Sequence, residues 1–206
     1  MDQFRILKVT EEAIVQAAEI IRGGGLVIYP TETVYGLGCD PFNSSAVDRL
    51  LRVKGRENKP LPIVAASVDK AREVALFNPQ AEKIASMLWP GPLTLVLKAQ
   101  VTFPTGITLG SDTIGIRVPD HEVAMRLAEL SGGYLVSTSA NKSGAPSPRR
   151  VEEAVSQIGQ EVDLILDAGR SPLGHSSTVV DMTSGKPRIL REGPIPLKLI
   201  MEVLRN

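Results

Sequence analysis

The segment from Lys54 to Pro62 contains the residues with the clearest chemical potential. It reads Lys54-Gly-Arg56-Glu-Asn-Lys59-Pro60-Leu-Pro62, with three cations in six residues beside two prolines. The prolines argue against a solvated helix face, because a proline ring interrupts an α-helix. A guanidinium provides a planar fork of donors and an ammonium provides a compact charge, and both suit a triphosphate. The alternative is a charged surface turn whose cations add little to stability.

Three further loops are dense in hydroxyl and amide groups. They cover residues 30–38 (Pro-Thr-Glu-Thr-Val-Tyr-Gly-Leu-Gly), 137–144 (Ser-Thr-Ser-Ala-Asn-Lys-Ser-Gly) and 174–178 (Gly-His-Ser-Ser-Thr). The first two loops directly follow predicted apolar strands, and open α/β sheets bind ligands beyond the carboxyl ends of their strands. Such side chains suit phosphate, ribose or carboxylate oxygens. For the first loop the alternative is a turn whose hydroxyls bond within the turn and whose glycines serve only positive φ angles. For the second it is an ordinary polar loop, and for the third it is the entry to a strand.

Two arginines at strand ends complete the set. Arg117 lies late in the apolar strand 113–118, and Arg191 follows the short strand 188–190. A buried arginine is costly unless it meets an anion or a carboxylate, so each is predicted to bind a ligand or to form a structural ion pair. The chain has no Gly-x-x-x-x-Gly-Lys-Ser/Thr, Gly-x-Gly-x-x-Gly or Gly-x-Ser-x-Gly motif, so a nucleotide site must use less common parts.

The elements that would position these residues alternate between helical and strand patterns. The predicted N-terminal caps are Thr10, Ser45, Ser67 and Asp120. The predicted helices are 11–22, 45–53, 68–77, 79–89, 121–130, 151–158 and 197–204, and the predicted strands are 26–29, 61–66, 93–98, 113–118, 134–138, 164–166, 178–182 and 188–190. This alternation predicts one α/β domain over residues 1–206, with a mixed sheet.

Composition excludes several classes of function. The chain has 206 residues with Lys+Arg and Asp+Glu equal at 23, which argues against strong non-specific nucleic-acid binding. Its single cysteine, Cys39, excludes an internal disulfide and a cysteine-rich zinc site, and His121 and His175 are too few for a usual catalytic metal cluster. No apolar run is long enough to span a bilayer or to serve as the core of a signal peptide. We therefore expect a soluble, cytoplasmic protein.

In combination, these motifs resemble those of the YrdC family, the threonylcarbamoyl-AMP synthases. From Gly24 to about Gly193 the chain follows the family's order of motifs: residues 29–38, Lys-Gly-Arg, Pro-Gly-Pro-Leu-Thr, Gly-Ile-Arg-Val-Pro, Ser-Thr-Ser-Ala-Asn-x-Ser-Gly, Ser-Ser-Thr-Val-Val-Asp and Arg-Glu-Gly. The resemblance implies the short, single-domain form of the family. It also implies an open, twisted mixed sheet with flanking helices around a concave, basic cavity.

The resemblance implies a reaction that joins L-threonine, bicarbonate or CO2, and ATP. The products are threonylcarbamoyl-adenylate and pyrophosphate, and a partner enzyme transfers the threonylcarbamoyl group to adenosine 37 of tRNA. Mg²⁺ would arrive with ATP, since no metal-ligand motif is visible. Weak binding of tRNA or other RNA is compatible with this function, and no membrane partner is expected.

The resemblance also implies roles for individual residues. Lys54 and Arg56 match the catalytic pair that contacts the triphosphate, and Arg117 would hold the carboxylate of threonine in a bidentate pair. The other nucleotide positions are Pro60, Thr113, Ser139, Asn141, Ser147 and Arg191, and the other threonine positions are Thr33, Ser137 and Ser177.

The chain departs from the family pattern at three positions, and two other functions stay open. Many relatives have histidine or another residue where this chain has Ala65. A proline often stands where it has Glu57, and some relatives have asparagine where it has Pro60. One alternative function is a non-catalytic RNA-binding protein. The other is a paralogue of the same fold that acts on a different substrate.

Overall fold

The structure, a computed structural model, describes residues 5–55, 59–184 and 186–205. Its helices are α1 (Glu11–Arg22), α2 (Ser44–Lys54), α3 (Val68–Val74), α4 (Pro79–Leu88), α5 (Thr105–Thr108), α6 (Glu122–Leu130), α7 (Val151–Ile158) and α8 (Leu197–Arg205), with one 3-10 turn at Gly159–Glu161. Its strands are β1 (Arg5–Lys8), β2 (Val27–Tyr29), β3 (Gly36–Gly38), β4 (Ile63–Ala65), β5 (Ala75–Leu76), β6 (Leu93–Ala99), β7 (Thr113–Arg117), β8 (Tyr134–Val136), β9 (Thr138–Ser139), β10 (Leu164–Asp167), β11 (Thr178–Asp181) and β12 (Arg188–Arg191).

The described strands form two mixed sheets, which confirms the α/β prediction but not the single sheet. One sheet has the order β1-β10-β2-β3-β9, and the other has the order β12-β11-β6-β7-β4-β8 with β5 paired to β6. The strand predicted over 134–138 splits at Ser137, because β8 pairs with β4 of one sheet and β9 pairs with β3 of the other. The chain therefore crosses between the two sheets inside one of the hydroxyl-rich loops.

Local signals placed most helices correctly, but two of the predicted caps are wrong. The Thr10 hydroxyl accepts from the N–H of Ala13, and the Ser67 hydroxyl accepts from the N–H of Lys70, as expected. Helix α2 begins earlier than predicted, because the Asn43 side chain, rather than Ser45, accepts from the N–H of Ala46. Asparagine is as good a cap as serine, so the pattern of polar residues could not choose between them. Helix α6 is preceded by His121 rather than Asp120, with no side-chain cap bond.

Strand β3 lies within the segment that was predicted to be a loop, and its glycines have a steric role. Gly36 and Gly38 pair with β2 beside the buried ring of Tyr29. A Cβ atom would lie 3.0 Å from that ring at Gly36 and 2.8 Å from it at Gly38. Neither glycine is among those with positive φ. Glycine is therefore needed here because the ring approaches the backbone closely, and not to allow a positive φ angle.

The hydrophobic core lies between the sheets and their helices. Trp89 is buried in it, with an edge-to-face contact to Phe77 and an indole N–H donated to the Leu93 carbonyl. Among the described residues, no helix combines the length and the apolarity needed to cross a membrane.

Cys39 should react with a thiol reagent only when the protein unfolds. Its side chain is buried, and burial raises the pKa of the thiol to about 12. At about pH 8 the thiol therefore stays protonated as well as inaccessible, and the thiolate is the reactive form. We expect Ellman's reagent to label the native chain slowly and the denatured chain at once. Because the chain has one cysteine, rapid and complete labelling of the native protein would contradict this burial.

Candidate functional site

A cavity of about 240 Å³ opens beside the crossing between the two sheets. Loops that follow or precede strands of both sheets form its wall. The residues that line it are Thr31, Thr33, Val34, Gly36, Lys59, Pro60, Leu61, Pro62, Ile63, Thr94, Arg117, Ser137, Thr138, Ser139, Ser147, Ser176, Ser177 and Arg191. Most of the predicted site residues are therefore brought together: Thr33, Pro60, Arg117, Ser137, Ser139, Ser147, Ser177 and Arg191.

The turn after β2 bonds its own hydroxyls and also faces the cavity. The Thr31 hydroxyl lies 2.6 Å from the Val34 carbonyl and 2.8 Å from the Thr33 hydroxyl. Because a carbonyl can only accept, Thr31 donates its single proton to Val34, and Thr33 must donate to Thr31. The self-bonded turn that was considered as an alternative is present, and it fixes the Thr33 side chain in the cavity wall.

Arg117 forms a structural ion pair and lines the cavity at the same time. Its guanidinium pairs with the Glu32 carboxylate, donates through Nε to the Gly91 carbonyl at 3.1 Å, and donates to the Thr33 hydroxyl at 3.1 Å. The side chains of Arg117 and Glu32 are only 6% and 8% exposed. Burial lowers the pKa of the neighbouring His121 imidazole, and the charge of Glu32 opposes that effect. The contacts of the guanidinium with Glu32, Gly91 and Thr33 fix the orientation of Arg117 at the end of β7.

Arg191 approaches the same cavity from β12 and has no acidic partner among the described residues. Its Nε donates to the Ser177 carbonyl and a terminal nitrogen donates to the Ser177 hydroxyl, both at 3.0 Å. That hydroxyl lies 2.9 Å from the hydroxyl of buried Thr94. Burial and then the positive charge of Arg117 lower the pKa of Arg191, although a guanidinium stays protonated. An anion bound beside Arg191 would relieve this repulsion.

Lys54 lies behind the cavity wall instead of lining it, so the alternative of an exposed cation on a surface turn is wrong for this residue. The residue is 1% exposed, and its ammonium donates to the backbone carbonyls of Ser139 at 2.7 Å and Asn141 at 2.8 Å. The Asn141 amide in turn donates to the Ala145 carbonyl at 2.7 Å. Lys54 and Asn141 therefore hold the loop that presents Ser139 and Ser147 to the cavity.

Three other predicted positions have different outcomes. Arg56, like Glu57, lies outside the described residues. Thr113 begins β7, at the opposite end of that strand from Arg117, and does not line the cavity. Ala65 ends β4 as a buried residue that pairs with Tyr134, and it does not line the cavity either.

Several residues of the site were not assigned to it from the sequence. Glu32 lies in the hydroxyl-rich loop 30–38, but nothing local shows that it pairs with an arginine 85 positions later in the chain. Thr94 was in the Pro-Gly-Pro-Leu-Thr motif, and its alternation along β6 could have indicated an inward side chain. Lys59 is one of the three cations of the segment 54–62, and it lines the cavity beside Pro60.

A known protein family matches the part of the chain that forms the cavity. Residues 19–193 match the protein family Sua5_yciO_yrdC, which is described as "Telomere recombination". The chain belongs to the Sua5/YciO/YrdC family. The matched region contains every residue that lines the cavity.

Relatives within the Sua5/YciO/YrdC family have informative names and different lengths. The threonylcarbamoyl-AMP synthase of Pyrococcus abyssi is 42% identical over 199 residues, which is 96% of this chain and 58% of that protein. The putative threonylcarbamoyl-AMP synthase of Mycobacterium tuberculosis H37Rv is 40% identical over 193 residues, which is 93% of this chain and 88% of that protein. The chain thus spans little more than half of the Pyrococcus protein and most of the mycobacterial one.

Solved structures of Sua5/YciO/YrdC proteins share the fold. The crystal structure of P. abyssi Sua5 complexed with L-threonine matches with a TM-score of 0.92 and 41% identity, over 97% of this chain and 60% of that chain. The crystal structure of E. coli YciO matches with a TM-score of 0.86 and 29% identity, over 97% of this chain and 100% of that chain.

Replacing Lys54 with methionine should lower the free energy of unfolding by about 1–3 kcal/mol, because buried carbonyls lose their donor. Urea denaturation followed by circular dichroism measures the change. Arg52→Ala, on the exposed side of the same helical turn, is the matched control and should stay within about 0.5 kcal/mol of the parent chain. Equal stabilities for the two variants would show that the Lys54 ammonium does not hold the loop.

Proposed function

We propose that this chain is a threonylcarbamoyl-AMP synthase, which forms threonylcarbamoyl-adenylate and pyrophosphate from L-threonine, bicarbonate or CO2, and ATP. The observation that carries the proposal is the meeting of Arg117 and Arg191 with the hydroxyls of three loops in one cavity. The name of the Pyrococcus and mycobacterial relatives and the L-threonine complex of P. abyssi Sua5 support the choice of substrates.

In this proposal the cavity holds two substrates side by side. Arg191, Ser139 and Ser147 face the nucleotide, with Pro60 beside them. Lys54 and Asn141 act on the nucleotide through the loop that they hold. The family resemblance also assigns Arg56 and Thr113 to the nucleotide, and of these Thr113 does not line the cavity. Arg117 faces threonine together with Thr33, Ser137 and Ser177. One terminal nitrogen of Arg117 pairs with Glu32 and is buried, and the other donates one of its two N–H groups to Thr33, so an N–H of this second nitrogen remains for a carboxylate.

The chemistry requires alignment and charge neutralisation more than a nucleophile from the protein. The ammonium of threonine first loses a proton to solvent, and the free amine then adds to CO2 and releases a second proton to give an N-carboxylate. An oxygen of this new carboxylate attacks the α-phosphate of ATP. The bond between the α-phosphorus and the bridging oxygen then breaks, and pyrophosphate leaves with that oxygen. Holding the reactants in line and placing Arg191 near the growing phosphate charge would account for the acceleration.

Mg²⁺ would enter with ATP. Among the described residues, no Asp or Glu lines the cavity, and no three His, Cys, Asp or Glu side chains are grouped so that they could hold a metal ion. The oxygens of the triphosphate are therefore the main ligands that this site offers to the ion.

Several wider features of the function remain predictions. They are the partner enzyme that transfers the threonylcarbamoyl group to tRNA, weak contact with RNA, a single domain over residues 1–206, and a cytoplasmic location. The relatives named as synthases and the L-threonine complex disfavour the two alternatives, a non-catalytic RNA-binding protein and a paralogue with another substrate.

Pyrophosphate release tests the proposal. We expect release in the presence of ATP, bicarbonate and L-threonine. Serine, which lacks the methyl group, and valine, which lacks the hydroxyl, should each be slower by about tenfold or more. Equal rates with the three amino acids would contradict the threonine specificity. Tight RNA binding with no response to ATP or L-threonine would favour the non-catalytic alternative.

A further inference from the structure

The charges around the cavity are compensated unevenly. Lys59, Arg117 and Arg191 line it, and among the described residues Arg117 alone of the three has an acidic partner. Neither Lys59 nor Arg191 has a carboxylate within 4.0 Å in the described parts of the chain. The charge of Arg117 is therefore compensated where this residue meets the cavity, a place called here the Arg117 end, whereas no acidic partner of Lys59 or Arg191 is described.

Glu32 produces this difference, and it is held firmly behind the wall. Its carboxylate pairs with Arg117 and accepts from the N–H of Asp120 at 3.2 Å, just before α6. Its backbone carbonyl accepts from the N–H of Leu173 at 3.0 Å. Glu32 lies between Thr31 and Thr33, which both line the cavity, but it is not a lining residue itself. It can therefore act on a ligand through Arg117 and through its field.

A neutral Arg117–Glu32 pair favours a neutral ligand. A simple carboxylate bound to Arg117 would leave one uncompensated negative charge in a buried place, which is costly. A zwitterion avoids that cost, because its ammonium compensates the charge of Glu32 while its carboxylate meets Arg117. Without Glu32, Arg117 would carry a full uncompensated charge and would accept any carboxylate.

We propose that Glu32 is a positioning residue that makes the Arg117 end of the cavity selective for α-amino acids over carboxylates without an amine. This inference rests on the proposed function, which places threonine at that end. It assigns the ammonium group, rather than the hydroxyl or methyl group, as the feature that Glu32 recognises.

The test compares two ligands that differ only in the amine. L-threonine and (R)-3-hydroxybutyrate are titrated by calorimetry into the parent chain, Glu32→Gln and Glu122→Gln. Glutamine keeps the size of Glu32 and removes its charge, and Glu122 is an exposed carboxylate in the first turn of α6 that serves as the control. We expect the parent chain to prefer L-threonine by about tenfold or more, and Glu32→Gln to lose most of that preference. Glu122→Gln should keep it.

Each outcome decides something different. An undiminished preference in Glu32→Gln would overturn the inference, because a purely structural role would weaken both ligands equally. Should that variant not fold, the parent chain still decides, since equal affinities for the two ligands would overturn the inference while the proposed function stands. Failure of the parent chain to bind L-threonine at all would overturn both.

Discussion

Replacing Arg191 with alanine should lower the rate of pyrophosphate release by about 10²-fold or more, the effect expected when a donor aimed at transition-state charge is removed. Arg191 is the lining guanidinium without a described acidic partner, and its pKa is already lowered by burial and by Arg117. An anion that enters the cavity would relieve that repulsion. The measurement is a coupled pyrophosphate assay with saturating L-threonine and bicarbonate.

Arg188→Ala is the matched control for Arg191→Ala. Arg188 lies on the same strand, β12, but its side chain is 72% exposed and pairs with Asp181 outside the cavity. We expect this control to release pyrophosphate at close to the parent rate. Similar losses in the two variants would mean that β12 matters only for the fold, and an unchanged rate in Arg191→Ala would remove Arg191 from the nucleotide site.

Replacing Arg117 with alanine should lower the free energy of unfolding by about 3–5 kcal/mol, because it leaves a buried carboxylate without its partner. The Glu32 side chain is 8% exposed, and its second oxygen already has no described hydrogen-bond partner. The loss of charge compensation should therefore dominate over the loss of the hydrogen bonds to Gly91 and Thr33. Urea denaturation monitored by circular dichroism measures the change.

Two further variants separate this charge effect from packing. Adding Glu32→Gln to Arg117→Ala removes the uncompensated charge, so the double variant should be more stable than Arg117→Ala alone. Arg126→Ala removes an arginine that is 38% exposed and paired with Glu11 and Glu129, and its cost should be about 0–1 kcal/mol. A double variant no more stable than the single one would show that packing, and not charge, explains the loss.

The sequence predicted those parts of the fold that depend on neighbouring residues. Helix α1 follows from an apolar stripe with a Thr10 cap, and both lie within one short segment. The assignment of residues 134–138 to one strand failed because β8 and β9 pair with strands far apart in the chain. Strand β3 was missed because its two glycines and their turn motif resemble a loop, and only the Tyr29 ring explains them.

The site also divides into features that depend on neighbouring residues, which could be predicted, and features that depend on distant residues, which could not. Of the residues that were predicted from hydroxyl-rich loops after apolar strands, Thr33, Ser137 and Ser139 line the cavity and Asn141 does not. The position of Lys54 could not be predicted, because its burial depends on carbonyls 85 and 87 residues away. The charge of the cavity could not be predicted either, because the sequence does not show which arginine pairs with Glu32.

The most direct test of the proposed function is mass spectrometry of the chain incubated with ATP, L-threonine and ¹³C-bicarbonate. The proposal predicts threonylcarbamoyl-adenylate that carries the heavy carbon in its carbamoyl group, together with pyrophosphate. ATP left intact, or an adenylate of threonine without the labelled carbon, would contradict it.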